Sequence, residues 1–160
     1  MNHASDTQPR DVAVLLNAVP HPAADASEPF VVANERQVAV AYRIDETEFE
    51  RFGPFAEGDD PFCAVVFSEA AFHQFGPPND DDLDAHPLAQ HGLRRYCAHE
   101  IENSSLVLDT WGQASAADGW RHFVLTFQDN TYECVAADCT LVGIYGNGDI
   151  ARREAFSLCG

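Results

Sequence analysis

Short apolar runs, several of them alternating with small or polar residues, recur along this chain between clusters of turn-forming residues. A period of two marks half-buried β-strands, because successive strand side chains point to opposite faces. Phe30-Val31-Val32-Ala33 and Val38-Ala39-Val40-Ala41-Tyr42 read as two strands joined through Asn34-Glu35-Arg36-Gln37. In the second of these, Val38, Val40 and Tyr42 make one face bulky, while Ala39 and Ala41 keep the other small. Phe62-Cys63-Ala64-Val65-Val66-Phe67 is apolar throughout, as expected of a strand buried on both faces. Residues 71–75 read as its continuation after an irregularity, and Gly76-Pro77-Pro78-Asn79 ends the pattern. Residues 12–19 fit a first strand or a short helix equally well, because the run is too short for its period to decide.

The strongest element is a hairpin over residues 121–137. With Asp129-Asn130 as a two-residue turn, Phe127 would face Tyr132, Leu125 would face Cys134, and Phe123 would face Ala136. The opposite face would then pair Thr126 with Glu133 and Val124 with Val135, with His122 beyond. Residues 95–102 read as another strand, with Ala98, Glu100 and Glu102 on one side and His99 and Ile101 on the other. Ser104 or Ser105 can cap a short helix over residues 106–111 that Gly112 would stop, and Asp149 can cap a second over residues 150–158. No regular strand–helix–strand alternation is present. The expectation is a single α+β domain over residues 1–160, with a predominantly antiparallel sheet of six or seven strands, one or two short helices, and disorder over residues 1–10.

Two stretches stand outside this pattern. Residues 45–61 form an acidic loop with room for a helical turn over residues 46–52, and residues 76–92 form a long polar excursion. Excursions of that length inside a domain are commonly binding loops or lids.

Charge adds a partner class and removes others. The chain has 26 acidic residues against nine arginines and no lysine, a formal net charge of −17. Seventeen acids and four arginines precede residue 91, and nine acids and five arginines follow it, so the field is lopsided. A field of this sign disfavours nucleic acid and anionic membrane and speeds encounter with a basic protein. It also suits a salty cytoplasm or a bacterial or archaeal genome poor in lysine codons. No apolar run reaches the length of a membrane span, and residues 12–19 are too short and follow Asp11, which argues against a secretory leader. Five cysteines at irregular spacing do not read as a disulfide framework, so free thiols in a reducing cytoplasm are expected.

Candidate chemistry rests on histidine, the commonest metal ligand and acid–base group. The seven histidines show no metal-binding spacing, but His73, His99 and His122 all fall at or near strand ends. If those ends meet under the 76–92 excursion, a His-lined cleft forms, with Glu100 and Trp111 as further ligand-binding candidates. Asn79–Asp84 is rich in carboxylates but lacks the ladder, glycine and closing glutamate of an EF-hand loop, so it reads as a capped, solvated turn. Cys134 and His122 fall on opposite hairpin faces, which rules out a nucleophile–base pair between them. Two functional expectations follow: a small acidic non-catalytic interaction protein of the cytoplasm with a basic protein partner, or a metal- or small-ligand-binding, enzyme-like domain built around the His-lined cleft. A homodimer formed through the sheet is a further possibility.

Overall fold

The computed structural model describes residues 11–25, 28–117 and 119–159. The disorder expected over residues 1–10 lies outside them. The described chain runs β1 (Val12–Leu15), β2 (Phe30–Ala33), β3 (Gln37–Arg43), α1 (Phe49–Phe52), β4 (Phe62–Ser68), β5 (Phe72–Gly76), β6 (Ala98–Glu102), α2 (Ser105–Ala117), β7 (Arg121–Thr126), β8 (Thr131–Ala136), β9 (Asp138–Tyr145) and α3 (Gly148–Cys159). Two antiparallel sheets result, of order β1-β6-β7-β8-β5 and β2-β3-β4-β9. The fold is α+β and sheet-dominated.

Alternation decides which way each strand faces. Val38, Val40 and Tyr42 of β3 and Cys63, Val65 and Phe67 of β4 meet Phe123, Leu125, Tyr132 and Cys134 of β7 and β8 in one core between the sheets. Phe67 sits at its centre, with ring centroids 5.4 Å from Phe123 and 5.3 Å from Tyr132. The small face of β3, Ala39 and Ala41, lies with Phe62 and Val66 against Ala151, Ala155 and Cys159 of α3. Alanine on both surfaces lets the helix approach closely, and this explains why β3 has one bulky and one small face. No helix among the described residues is long and apolar enough to cross a membrane.

Several local expectations need correction. The hairpin faces are as expected, but the register is moved by two residues: Leu125 pairs Tyr132, Phe123 pairs Cys134, and Val124 rather than Thr126 pairs Glu133. The loop is four residues long, 127–130, closed by Phe127 N–H donating to the Asn130 carbonyl at 2.9 Å. Residues 71–75 form a separate strand in the other sheet, not a continuation of β4. β9 has no counterpart in the expected elements. A bulge between Ala64 and Val65 of its partner skips Val142, so its apolar side chains do not alternate cleanly. Strand β6 starts only at Ala98, because Tyr96 takes a left-handed conformation with φ 57°. Gly112 breaks the helical path as expected, with φ 81° and ψ 174°, and a second helical segment follows it within the Ser105–Ala117 span of α2. The cap of α3 is Asn147, whose Oδ1 accepts from Ile150 N–H at 3.0 Å, while Asp149 pairs with Arg152.

The aromatic contacts rank the positions. Replacing Phe123, fully buried against Phe67, by alanine is expected to cost about 3–5 kcal/mol in denaturant unfolding. Phe156→Ala on α3, where the side chain is 59% exposed, is expected to change stability by less than about 0.5 kcal/mol.

Candidate functional site

The five-stranded sheet has an outer face turned away from the core. His99 and Ile101 of β6, His122, Val124 and Thr126 of β7, and Thr131, Glu133 and Val135 of β8 alternate onto it. The excursion between β5 and β6 lies across this face. Its Leu88 and Leu93 pack on Ile101 and Val124, with Ala13 of β1 beside them. Gly92 makes the excursion's sharp turn at φ 106°, where a Cβ would stand 2.9 Å from the Ala13 carbonyl oxygen. The Ser104 end of α2 covers the far corner through Val107, which is buried.

The polar side chains of this face are engaged by the layer above. Thr126 donates its hydroxyl to the Arg94 carbonyl at 2.6 Å and accepts from Cys97 N–H at 2.9 Å. Thr131 donates to the Pro78 carbonyl at 2.9 Å. His99 donates Nδ1–H to the Val124 carbonyl at 3.1 Å and accepts Arg94 N–H on Nε2 at 3.0 Å. Burial, which outweighs that carbonyl contact, lowers the His99 pKa to about 4. Glu133 is the hub. Its Oε1 lies 3.1 Å from His86 Nε2, and its Oε2 lies 2.6 Å from His122 Nε2. Burial pushes the Glu133 carboxyl up, but hydrogen bonds from His122 and His86 outweigh it and hold the pKa at about 2. His86 accepts Leu88 N–H on Nδ1 at 3.0 Å, which fixes its proton on Nε2 toward the carboxylate.

Ser104, His122 and Glu133 therefore lie in one hydrogen-bonded chain, with Ser104 Oγ 2.7 Å from His122 Nδ1. The order resembles a nucleophile, base and orienter. The serine, however, is buried and also caps α2, accepting Val107 N–H at 3.1 Å. Its work in this arrangement is to cap a helix and to set the tautomer of His122.

The residues singled out from sequence separate into two groups. His99 and His122 share the outer face beneath the excursion, where both are buried. His73 does not join them. It pairs Cys134, so it lies on the other face of β5, exposed, with its ring 6.3 Å from that of Tyr132. Glu100 is turned to the core side of its strand and forms a two-pronged ion pair with Arg121 at 2.8 and 2.6 Å. Trp111 stacks on Trp120 with centroids 6.2 Å apart. Cys134 is buried in the core, where desolvation pushes its thiol up to about 12. In the Asn79–Asp84 run, Asn79 Oδ1 accepts Asp82 N–H at 2.9 Å and Asp80 takes the Tyr96 hydroxyl, so the turn is internally capped. Among the described residues, no three His, Cys, Asp or Glu side chains are grouped to hold a metal ion. Sequence reasoning missed Glu133 and His86 as members of the cluster. The available signal was a glutamate alternating between Thr131 and Val135 on an otherwise buried strand, on the same face as His122.

A second feature lies at the end of β3. Arg43 donates to Asp60 through Nε and Nη2 at 2.7 and 2.5 Å and also pairs with Asp25, and these carboxylates raise its already high pKa. Around it opens a cavity of about 500 Å³ whose walls carry the carboxylates of Asp25, Asp45, Glu46, Asp59 and Asp60, along with Phe49 and Pro61. No family model, curated protein or solved structure matches the chain.

Removing the hub leaves two imidazole N–H groups without an acceptor. Glu133→Ala is expected to lower unfolding stability by about 2–4 kcal/mol at neutral pH, whereas Gln74→Ala, at an exposed position paired with it, changes it by less than about 0.5 kcal/mol. Because the folded carboxyl pKa lies below the ordinary value of 4.5, this contribution is complete above about pH 4.5 and disappears as pH falls toward 2. Urea unfolding of both variants at neutral and acid pH checks the sign and the window.

Proposed function

We propose that this chain is a small acidic interaction protein, without a reaction of its own, that captures a basic protein segment. The observation that carries the reading is the cavity beside Arg43, lined by five acidic residues and one arginine on a chain of net charge −17. Its walls suit a lysine or arginine side chain. Ala23, Phe49 and Pro61 offer apolar surface to the aliphatic stem, and the carboxylates receive the cationic head. The Arg43 pairs hold two of those carboxylates, Asp25 and Asp60, in place. The surrounding negative field supports fast capture of a basic segment and accounts for why acids crowd the first half of the chain.

A second reading places a small ligand under the 76–92 excursion. It is favoured by a cavity of about 340 Å³ between Pro77, Pro78 and Pro87 and the polar side chains of His86, Thr131 and Glu133. Those three side chains already bond within the protein, as do Asp25, Asp45, Asp59 and Asp60 of the acidic cavity, so what favours the acidic cavity is its concentration of negative charge.

An oligoarginine peptide titrated by calorimetry at about 20 mM and about 300 mM salt tests the first reading, with affinity expected to fall at least about tenfold at the higher salt. Replacing Asp45 and Asp59 by Asn and Glu46 by Gln together is expected to weaken binding about fivefold more than neutralising Asp81, Asp82 and Asp84. Equal losses in the two variants would remove the cavity from the proposal, and absence of binding at low salt would remove the partner class.

A further inference from the structure

We infer that the layer over the outer face of the five-stranded sheet is an acid-released cover, held shut by histidine rings that must stay neutral to accept backbone N–H groups. The geometry makes a clear division among the six described histidines. In three of them one ring nitrogen receives a main-chain donor: His21 Nδ1 from Ala98 N–H at 3.0 Å, His86 Nδ1 from Leu88 N–H at 3.0 Å, and His99 Nε2 from Arg94 N–H at 3.0 Å. A backbone N–H cannot turn away or reverse its polarity. Protonating such a ring sets N–H against N–H, so the contact must break. The other ring nitrogen of each is also engaged: His21 Nε2 with Asn17 Oδ1 at 3.2 Å, His86 Nε2 with Glu133, and His99 Nδ1 with the Val124 carbonyl. No ring can rotate to accommodate a second proton without losing two bonds.

His122 and His91 are built differently. His122 meets the Ser104 hydroxyl, which can rotate from donor to acceptor, and the Glu133 carboxylate, which welcomes a charge. His91 Nδ1 faces the Asp11 carbonyl, which requires a donor. Neither loses its partner on protonation, and His73 is exposed.

Two of the three acceptor contacts fasten the cover, since His86 and Arg94 belong to the excursion itself. His21 ties the 17–22 segment, whose Val19 packs in the core between the sheets, to the start of β6 beside them. The charged groups facing the three rings differ. His99 faces Arg94, His21 and His86, each of which opposes a further positive charge. His21 faces the carboxylates of Glu48 and Asp45, which favour charging, and Arg51, which opposes it; burial dominates and lowers its pKa. His86 faces Glu133, with His122 on that carboxylate's other oxygen. At His99 and His21 the surroundings oppose a charged ring. The sign follows from the direction of the shift. A ring that takes a proton less readily in the closed state than when released stabilises closure above the free value of 6.5, and that stabilisation is lost as pH falls toward the closed-state value of about 4 at His99. Opening exposes the Ile101 and Val124 surface that Leu88 and Leu93 now cover.

Hydrogen exchange followed by NMR on the full chain tests this. Corrected for the intrinsic pH dependence, protection at the Leu88 and Arg94 amides is expected to fall about thirtyfold between pH 7.5 and pH 5.0, as one ring with the His99 shift requires. The Phe123 and Cys134 amides in the central ladder are expected to change less than threefold. In the variant His86→Asn/His99→Gln, side-chain carbonyls take over the two acceptor roles without titrating, and the pH dependence at Leu88 and Arg94 is expected to flatten below threefold. An undiminished dependence in that variant overturns the inference. So does an equal loss of protection at Phe123, which marks global unfolding. Should the variant not fold, ring nitrogen shifts of the unmodified protein decide: neutral His99 carrying its proton on Nδ1 at pH 7.5, titrating together with the loss of Arg94 protection, upholds it. Titration without that loss overturns it.

Discussion

The central strands of the five-stranded sheet are buried on both faces, and the rest of the molecule is arranged around that fact. Val124, Phe123, Leu125 and Cys134 are all inaccessible, although they point in opposite directions. One direction is served by the second sheet, whose β3 and β4 supply apolar side chains. The other direction carries Thr126, Thr131, His99, His122 and Glu133. Such groups cannot be buried under a purely apolar layer without a cost of about 1–3 kcal/mol for each unmet hydrogen bond. The covering chain has the complementary problem. It is mostly irregular, so its own N–H and C=O groups have no ladder to join. Each side supplies what the other lacks: threonine hydroxyls bond the carbonyls of Arg94 and Pro78, and an imidazole accepts the Arg94 amide. The polar residues that looked like a catalytic cluster are those that make an irregular cover compatible with a buried sheet face.

The same reasoning explains how much could be read from sequence. Alternation is a local property, so the faces of β3, β4, β7 and β8 were legible, including the bulky and small sides of β3 that turn to the core and to α3. Register is not local. The Asp129-Asn130 turn residues are present, but Phe127 closes on Asn130 and widens the loop to four residues, which moves every cross-strand partner by two while leaving the faces unchanged. β9 was hidden by its bulge at Val142. The separation of β5 from β4 needed to be seen in three dimensions, since the apolar run passes from one sheet to the other with only residues 69–71 between them. For the site, parity put His99 and His122 on one surface and could have added Glu133. It could not exclude His73, whose strand was assigned to the wrong sheet, nor identify His86, which reaches Glu133 from a segment without periodicity.

The acidic half of the chain meets this covered sheet at His21. Its carbonyl accepts Asp45 N–H at 3.0 Å, at the wall of the acidic cavity, and its own amide donates to Glu48 Oε2 at 2.9 Å. Its ring, on the other side, accepts the Ala98 amide at the start of β6. One residue thus belongs to both structures. Of the two carboxylates that favour protonating His21, Asp45 lines the acidic cavity, while Glu48 pairs with Arg51. If a basic segment occupies the cavity as proposed, linkage through His21 would couple its capture to the proposed release of the cover in both directions. The acidic cavity and the histidine-fastened cover share this one residue, so the proposed capture and the proposed release would be two ends of one equilibrium.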